Sequence, residues 1–357
     1  YQDLPDFLMS RLLAGDSQYD IWHVQAPIFY KLVGQDAFYP VGEVLPQNHY
    51  QKKYPQVLAR MADTLSYNGK RYFLGLNGAG AIFNTSKMIY WNKDLFENLG
   101  IPSLYPIVKN KKWNYDKFKE IAKQITRDTD GDGEVDTLGV FNALSPWVWS
   151  NGSGYVKKVD GKIKYNLNSP EAITAINFIK DLADAGVMAN RELGWNGGRE
   201  ALKSGNVGMF VGYMFQSGPF LNADEHEYGM VPYPMGPDVD RYHFPQRPVF
   251  QLLPANCANP EAMVALSEFL WRPEEAKESM KNKLGSRAQD RESMEIMLDV
   301  ANNWNGELGI WDSILGTRWL NQNAFGAILR GAVPASQKLN EIQNAAQAKI
   351  DELLKQD

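Results

Sequence analysis

The stretch "MIYWNKDLFENLGI", residues 88–101, joins an apolar run directly to a segment that favours a helix. The run from Met88 to Trp91 is short, apolar and rich in aromatic residues, as in a buried strand. Residues 94–99 then predict a helix, and Gly100 follows as its terminator. A strand that passes at once into a helix is typical of α/β proteins, in which helices cover the faces of a sheet.

The same alternation of helices and strands continues on both sides of this stretch. Strands are predicted at "YDIWHV" (19–24), "TLGVFNA" (137–143) and Val207–Tyr213. Helices with clear start and stop residues, including N-caps at Asn114 and Ser169, are predicted at 5–15, 115–126, 169–186, 259–276 and 337–354. The pattern predicts an α/β fold with helix-covered sheets.

Length and composition bound the fold and exclude some partners. The 357 residues suffice for two domains, and an apolar fraction of 44% suffices for a core in each. The formal net charge is −5 and the 37 basic residues are scattered, so nucleic acid is a poor candidate partner. Cys257 is the single cysteine, which excludes an internal disulfide and a thiol-based metal site. No run approaches the ~20 apolar residues that span a bilayer.

Five segments together resemble one family, the extracellular solute-binding proteins of the carbohydrate type (family 1) that serve ABC importers. No segment is specific alone, but their order and spacing extend over nearly the whole chain. The segments are "LLAGDSQYDIW" (12–22), "MIYWNKDLFENLGI" (88–101), "SGNVGMFVG" (204–212), "YGMVPYPMGP" (228–237) and "ILRGAVPASQKLNEIQNAAQAKIDELL" (328–354).

The resemblance implies a two-lobed, periplasmic-binding-protein-like α/β fold of the class II type, with a hinge and an interlobe cleft that holds the ligand. The chain is then expected to cross between the lobes near 104–113, 244–253 and 310–318. One lobe would comprise residues 1–108 plus 251–310, and the other 109–248 plus 311–357. In this family a strand, a helix and a second strand should precede Tyr1, so the first lobe is expected to lack its usual N-terminal strands.

The composition favours a carbohydrate ligand. Aromatic residues make up 12% of the chain. Trp147 and Trp149 alternate along a segment that is expected to be extended, beside Ser150 and Asn151, and Trp195 stands next to Asn196. A sugar presents C–H faces that suit aromatic rings and a rim of hydroxyls that polar groups must satisfy. A buried hydroxyl left unpaired would cost about 1–3 kcal/mol. A single large ring is still more often a core residue than an exposed platform.

Ligand contacts are expected at the carboxyl ends of strands, where α/β proteins commonly hold ligands. The resemblance places a stacking ring at Tyr213 or Phe215. The candidate ligand residues are Gln25, Asn77, Trp147, Trp149, Trp195, Tyr213, Phe215, Arg247, Trp311 and Trp319.

For some of these residues, a purely structural role agrees with the sequence as well as a ligand contact does, or better. Trp311 and Trp319 could pack one helix face into a lobe, and Arg247 could form only a salt bridge at the hinge. His23, which is also near a strand end, is more often a structural histidine than a ligand contact.

The acidic loop "DTDGDGEVD", residues 128–136, has the spacing of a calcium-binding loop with Gly133 at its sharp turn. Gly139 replaces the bidentate Glu of the twelfth position, and a strand replaces the second helix. We therefore expect a structural calcium ion without a signalling role; an Asx-bonded turn without an ion is the alternative. The expected ligands are Asp128, Asp130, Asp132, the Glu134 carbonyl and Asp136.

Two other functions compete with sugar capture. A glycosidase would need a carboxylate pair about 5–10 Å apart, with candidates at Glu192, Glu200 and Asp312, but these lie in segments typical of surface helices or loops. A peptide or polyamine receptor of the same fold would hold a cationic chain between rings and acids. The Trp residues stand next to Asn and Ser instead of Asp and Glu, which favours a neutral sugar.

The resemblance also implies the setting of the protein. It would be an extracytoplasmic monomer that captures a sugar, preferably an oligosaccharide, and delivers it unchanged to an ABC permease. Its location would be the cell surface, by a lipid on a cysteine upstream of Tyr1, or the periplasm.

Overall fold

The computed structural model of the protein describes most of the chain. Besides the single residues 62, 200 and 278 and the pairs 281–282 and 285–286, the described ranges are 3–16, 18–45, 65–76, 87–141, 145–188, 203–213, 226–243, 249–270, 288–302 and 315–355. Within these ranges the chain forms an α/β fold with two separate main sheets and helices packed around them.

The strands are short, and the longest described strand has seven residues. In chain order they are β1 (Trp22–Gln25), β2 (Ser66–Tyr67), β3 (Lys70–Arg71), β4 (Gly75–Leu76), β5 (Lys87–Asn92), β6 (Leu138–Phe141), β7 (Val156–Val159), β8 (Lys162–Tyr165), β9 (Val207–Tyr213), β10 (Tyr228–Val231) and β11 (Val249–Leu252).

The helices predicted at 5–15, 94–99, 115–126, 169–186, 259–276 and 337–354 all have counterparts, and further helices occur that the capping and periodicity patterns did not predict. In chain order they are α1 (Leu4–Leu13), α2 (Ala26–Val33), α3 (Lys93–Asn98), α4 (Leu104–Lys109), α5 (Tyr115–Ile125), α6 (Ser145–Ser150), α7 (Pro170–Asp184), α8 (Pro260–Leu270), α9 (Arg291–Asn302), α10 (Thr317–Leu320), α11 (Gly326–Leu329), α12 (Ala335–Glu341) and α13 (Gln343–Leu354). Short 3₁₀ and π segments occupy Val41–Glu43 and Asn321–Phe325.

The first sheet has the strand order β1-β11-β4, and both pairings are antiparallel. In its register Trp22 pairs with Leu252 and Gln25 pairs with Val249, so β1 ends where β11 begins. Strand β11 therefore lies in the centre of this sheet, although it comes last of the three in the chain.

The second sheet has the order β10-β5-β9-β6. Strand β5 is antiparallel to both of its neighbours, and β6 is parallel to β9. Met88 to Asn92 are all buried, as expected for a central strand. The Asn92 side chain then accepts a 2.9 Å hydrogen bond from the Leu95 backbone N–H and caps α3. Gly100 follows with φ +68°, so the predicted strand-to-helix unit is confirmed.

Two predicted N-caps are also confirmed. Asn114 Oδ1 accepts a 2.9 Å bond from the Lys117 N–H at the start of α5, and Ser169 Oγ accepts one of 3.3 Å from the Ala172 N–H at the start of α7. The predicted C-terminal helix is instead two helices, α12 and α13, which meet at Ile342.

The connectivity corrects part of the predicted division into lobes. Because β5 belongs to the sheet that contains β6, β9 and β10, the chain reaches the second sheet before Lys87, and not near 104–113. The contacts of α9 give a second correction. The Met230 N–H donates to Ser293 Oγ at 2.9 Å and the Tyr228 N–H to Gln289 Oε1 at 2.8 Å, so residues 289–302 pack against β10 of the second sheet. The other predicted boundaries stay predictions.

The C-terminal helix α13 packs against elements of both halves. It contacts α2, which follows β1 of the first sheet, and β8, which pairs with β7. Gln347 joins α13 to β8, since its Oε1 accepts from the Tyr165 N–H at 2.8 Å. At the other end the Tyr67 hydroxyl donates to the Leu354 carbonyl. Within the described part of the chain, none of the helices is both long and apolar enough to span a membrane.

Candidate functional site

At one end of each main sheet, the last residue of one strand lies beside the first residue of its neighbour. The side of the sheet formed by these strand ends is called its edge. In the first sheet, the last residue of β1, Gln25, lies beside the first residue of β11, Val249. In the second sheet, the last residue of β9, Tyr213, lies beside the first residue of β5, Lys87. Gln25 and Tyr213 are both half-buried, as the strand-end prediction requires of residues that could meet a ligand.

These two edges are also where the chain passes between the sheets. The chain leaves the first sheet at Leu76, which pairs with Phe250 near the start of β11, and enters the second at Lys87. It leaves the second sheet after Val231, which lies at the Lys87 end of β5, and returns at Val249. The connection 77–86 can span at most about 40 Å. The edge with Gln25 and the edge with Tyr213 therefore lie on the sides of the sheets that the connections join.

Tyr213 is held in a defined environment. Its carbonyl accepts a 2.6 Å hydrogen bond from the Tyr90 hydroxyl, and its ring lies 5.1 Å from the Lys87 ammonium. A cation over an aromatic face at this distance is an attractive contact. Burial, and to a smaller extent the electrostatic effect of Tyr213, raises the pKa of Tyr233.

Trp147 lies in a cluster of aromatic rings inside the second lobe. Its side chain has no solvent exposure and lies between 4.9 and 5.9 Å, centroid to centroid, from four other rings. These rings are Tyr115, Phe118, Phe178 and Tyr233. A stacking contact of Trp147 with a sugar would require this cluster to repack. The ring instead packs against Tyr233.

The segment around Trp147 and Trp149 is helix α6, so the expectation of an extended segment is wrong. Trp149 is buried as well, and its ring packs so closely against Gly154 that a Cβ there would approach it to 2.6 Å. Trp147 and Trp149 alternate, which is typical of an extended segment, but tertiary packing of both indoles favours the helix.

The polar neighbours of these tryptophans serve the fold. Ser150 Oγ lies 2.9 Å from the Tyr115 hydroxyl. Asn151, which is fully buried, donates to the Glu171 carbonyl at 2.8 Å and to Asp238 Oδ2 at 2.7 Å, and accepts from the Asp238 N–H at 3.0 Å. Asn151 thus anchors the turn at Asp238 to the start of α7, and its bonds leave little capacity for a sugar hydroxyl.

Trp319 lies in α10 and is half-buried. It lines a cavity of about 620 Å³ together with Lys31 of α2, Gln35 just after α2, and Lys349 and Leu353 of α13. Part of the Trp319 side chain also packs against the apolar core, as expected if it lies on the helix face that packs into the lobe. His23 lies within β1, is exposed and has the Gln251 amide 3.4 Å from its ring nitrogen.

Five candidate ligand residues lie outside the described residues, and their roles stay predictions. They are Asn77, Trp195, Phe215, Arg247 and Trp311.

The acidic loop connects α5 to β6, as predicted, and its ends are joined by a bridge between Arg127 and Thr137. Carboxylate oxygens of Asp128, Asp130 and Asp136 lie within 4.8 Å of one another, close enough to share one cation. Gly133 has φ +91°, which a residue with a side chain rarely adopts.

The same carboxylates also accept backbone hydrogen bonds, which is the chemistry of the alternative interpretation. Asp128 accepts from the N–H groups of Gly131 and Gly133, and Asp132 accepts from the Glu134 N–H at 2.8 Å. The hydroxyl and N–H of Thr129 donate to Asp136 and lower the pKa of its carboxyl. An ionised Asp136 could coordinate a cation or accept the hydrogen bonds of a turn, so its charge does not distinguish the two interpretations.

Sequence reasoning missed Lys87, Tyr90 and Tyr233. Lys87 precedes an apolar run and has no motif around it, so only the register with Tyr213 reveals its position. Tyr90 and Tyr233 are buried aromatic residues. The Tyr90 hydroxyl reaches the Tyr213 carbonyl only because β5 pairs with β9.

Comparison with known proteins places this geometry in a family. A family model described as bacterial extracellular solute-binding protein matches residues 6–277. No curated protein gives a match.

Several solved structures have the same fold. The maltose/maltodextrin-binding domain MalE from Bdellovibrio bacteriovorus, bound to maltotriose, has a TM-score of 0.66 at 19% identity over 99% of this chain and 89% of that one. The GacH receptor of Streptomyces glaucescens, solved unliganded and with acarbose, has 0.66 at 16% over 100% and 89%. UgpB from Mycobacterium tuberculosis, in complex with glycerophosphocholine, has 0.66 at 16% over 99% and 88%.

At these identities the likeness shows the fold, which is the two-lobed α/β fold of solute-binding proteins. The family model matches well over half of the chain and includes both strand-end edges. The chain belongs to the bacterial extracellular solute-binding protein family.

Proposed function

We propose that this protein captures a carbohydrate, preferably an oligosaccharide, between its two lobes and delivers it unchanged to an ABC permease. Membership of the solute-binding family supports capture without chemistry. Two neighbours of the same fold are described with maltotriose and with acarbose, which supports the ligand class.

The observation that carries the proposal is the position of Gln25 and Tyr213. One offers an amide and the other a phenol ring, and they stand at the two sheet edges that the interlobe connections join. An amide can satisfy sugar hydroxyls and a ring can cover a C–H face, so the two lobes supply complementary contacts. A ligand that touches both edges favours a closed arrangement by what it contacts in both lobes at once.

A thermal-shift screen against mono- and oligosaccharides, uronic acids, glycerophosphodiesters, peptides and polyamines tests the ligand class. A ligand at one hundred times its Kd should stabilise the protein by about 2.7 kcal/mol. Stabilisation by carbohydrates is the expected result. Stabilisation by peptides or polyamines alone would show that the ligand class is wrong.

Recovery of the ligand tests whether chemistry occurs. After prolonged incubation with any stabilising oligosaccharide, mass spectrometry should find it intact, because a capture protein releases what it binds. Cleavage products would instead support the glycosidase alternative.

We also propose that the loop 128–136 holds a structural calcium ion. Three converging carboxylates offer the hard oxygen donors that Ca²⁺ prefers. Calorimetric titration with CaCl₂ should show one site in the native protein and none in Asp130→Asn. Asp160→Asn, which removes the same charge from the exposed turn between β7 and β8, serves as the control. Equal titrations of all three proteins would favour the Asx-bonded turn.

The proposed setting is the outer side of the cytoplasmic membrane, with a lipid on a cysteine upstream of Tyr1 and a monomeric protein. The family description supports the extracellular side. Detergent partitioning of the native protein and light scattering of the purified chain test the anchor and the monomer separately.

A further inference from the structure

The feature that points beyond sugar capture is the cavity beside Trp319. Its volume of about 620 Å³ is within the range of ordinary small-molecule sites, and neither Gln25 nor Tyr213 lines it. Helix α2, which forms one wall, begins directly after Gln25. Since a helix rises about 1.5 Å per residue, Lys31 stands about 9 Å farther along α2. Gln35 lies beyond the end of that helix. The cavity therefore does not include the strand end at which a sugar is expected.

Elements of both halves form the walls of this cavity. Helix α2 follows β1 of the first sheet, whereas α13 packs against β8. The ends of α2 and α13 are in contact, because a Cβ added to Gly34 would lie 3.5 Å from the Leu354 carbonyl oxygen and 3.6 Å from Lys355 Cγ. The Asn323 side-chain amide donates to the Trp319 carbonyl at 2.8 Å and holds the end of α10. Packed helices therefore fix the walls, which suits a preorganised site.

The charged side chains of the cavity are mostly cationic. The lining contains three lysines and one acid, which are Lys31, Lys349, Lys355 and Glu352. Within the described part of the chain, none of the three ammonium groups forms an ion pair. The cavity thus presents more positive charge than its own acid can offset.

The helix ends account for only part of this charge. Helices α2 and α13 both end at the cavity, and a helix C-terminus carries about half a negative charge, which favours a nearby cation. Lys31 in the last turn of α2 and Lys355 directly after α13 are placed to offset these two ends. Lys349 lies before the last turn of α13, so neither helix end explains it. After Glu352 and both helix ends are counted, about one positive charge remains.

The rest of the lining is apolar or carries an amide. Leu315 is fully buried, and Trp319 and Leu353 are half-buried. The amides belong to Gln35 and Gln322. An indole beside leucine side chains suits the flat apolar part of a ligand, and the amides can satisfy its polar atoms.

We propose that this cavity is a second binding site, separate from the carbohydrate site, for a small organic anion that joins a flat apolar part to a carboxylate or phosphate group. The apolar part would lie against Trp319, while the acid group bonds to Lys349 and the neighbouring lysines. The proposal does not depend on the proposed function. Because the walls belong to both halves of the molecule, the bound anion would contact both at once.

The chemistry of the lining disfavours other ligand classes. A cation would be repelled by the remaining positive charge. An inorganic anion would leave the apolar surfaces of Trp319 and Leu353 in contact with water. A neutral sugar could use the ring and the amides, but it offers no charged acceptor to the ammonium groups, and charged hydrogen bonds are about twice as strong as neutral ones.

The test compares ligands that differ only in charge or only in the ring. Benzoate is paired with the neutral benzamide and with acetate, and phenyl phosphate is paired with inorganic phosphate. In ligand-observed NMR titrations of the native protein, benzoate should bind at least about 5-fold more tightly than benzamide. Each ring-bearing anion should also bind more tightly than its partner without a ring. The stronger of the two ring-bearing anions identifies the preferred acid group.

Three variants locate the binding. Lys349→Met should weaken binding of the preferred anion about 5-fold and leave benzamide within about 2-fold of the native value. Glu352→Gln should strengthen binding of the anion, because it removes the opposing charge. Lys157→Met removes an exposed charge on β7, outside the cavity, and should change neither. Circular dichroism confirms that each variant is folded. Equal binding of benzoate and benzamide, no binding of either ring-bearing anion, or equal losses in Lys349→Met and Lys157→Met would overturn this inference.

Competition decides whether the site is separate. With a carbohydrate from the thermal-shift screen at saturation, the anion should still bind. Displacement of the anion by the carbohydrate would place it in the sugar site, which overturns this inference and leaves carbohydrate capture standing. If no carbohydrate stabilises the protein, the proposed function fails, and the comparison of benzoate with benzamide still tests the anion site by itself.

Discussion

At the scale of single residues, Tyr233 buries a phenolic hydroxyl that has no hydrogen-bond partner among the described residues. Tyr233→Phe removes that oxygen and keeps the ring that packs on Trp147. We expect the free energy of unfolding to stay the same or to rise by up to about 1 kcal/mol, because the desolvation cost of the hydroxyl disappears. Urea denaturation measures the difference. A loss of more than about 1 kcal/mol would mean that the hydroxyl is satisfied, for example by an ordered water.

In contrast to the Tyr233 hydroxyl, the Asp290 carboxylate has several hydrogen-bonding partners. Its oxygens bond to Lys93, to the Tyr105 hydroxyl at 2.6 Å and to the Ser293 N–H at 2.6 Å. Burial raises the pKa of Asp290, but these bonds outweigh it, so the pKa lies below its usual value. A group with a lowered pKa stabilises the fold above its unfolded pKa, and this contribution is lost as the pH falls through the folded value.

Asp290→Asn should therefore cost about 1–3 kcal/mol at pH 7 and less at acid pH. Denaturation between pH 7 and pH 3 would show the native protein losing stability on acidification while the variant loses less. Glu292→Gln, an exposed position in the first turn of α9, which begins directly after Asp290, controls for the change in net charge. Parallel pH profiles of the native protein and Asp290→Asn would contradict the assigned role.

At the scale of elements, α5 depends on its N-cap. Asn114 is exposed, so its substitution removes a capping bond without creating a cavity. Asn114→Ala should lower the free energy of unfolding by about 1 kcal/mol, and Asn114→Ser should restore most of it. Chemical denaturation of the three proteins provides the comparison. Equal stability of the Ala and Ser variants would show that backbone solvation replaces the cap.

Local rules predicted the elements that local interactions define. Asn92, Asn114 and Ser169 cap helices in the structure because their bonds reach only three residues ahead. The helix around Trp147 was missed because its conformation follows from packing against α5 and α7, which are distant in sequence. The acidic loop was found from spacing alone, since all its carboxylates lie within nine residues.

Sequence rules predicted only part of the candidate site. Gln25 and Tyr213 follow from the rule that ligands lie at strand ends, which needs only the strand assignments. Lys87 could not be found in this way, because it begins its strand and reaches the same edge only through antiparallel pairing with β9. Register between strands more than one hundred residues apart leaves no signal in a single sequence.

At the scale of the whole molecule, α13 connects the two halves. It packs against α2 on one side and β8 on the other, and Ile350 is fully buried. Ile350→Ala should cost about 2–5 kcal/mol because it leaves a cavity. Lys349→Ala, the exposed neighbour, should stay within about 0.5 kcal/mol of the native protein.

Differential scanning calorimetry distinguishes a connecting helix from one that belongs to a single lobe. If α13 joins the halves, the whole unfolding transition should move to lower temperature in Ile350→Ala. A split transition, of which one part stays at the native temperature, would show that the helix stabilises only one lobe.

The central place of β11 in the first sheet has a consequence for biosynthesis. The strands on either side of β11 are complete once the ribosome has passed Leu76, yet neither pairs with the other, and both must wait for Val249–Leu252. At roughly 5–20 residues per second, the nascent chain holds two unpaired strand edges for on the order of ten seconds or more. The second sheet, complete at Val231, can form during this interval. The second sheet can therefore form before the first, although two of the three strands of the first sheet come earlier in the chain. A holding chaperone would bind these unpaired strands, which lie in the N-terminal quarter of the chain.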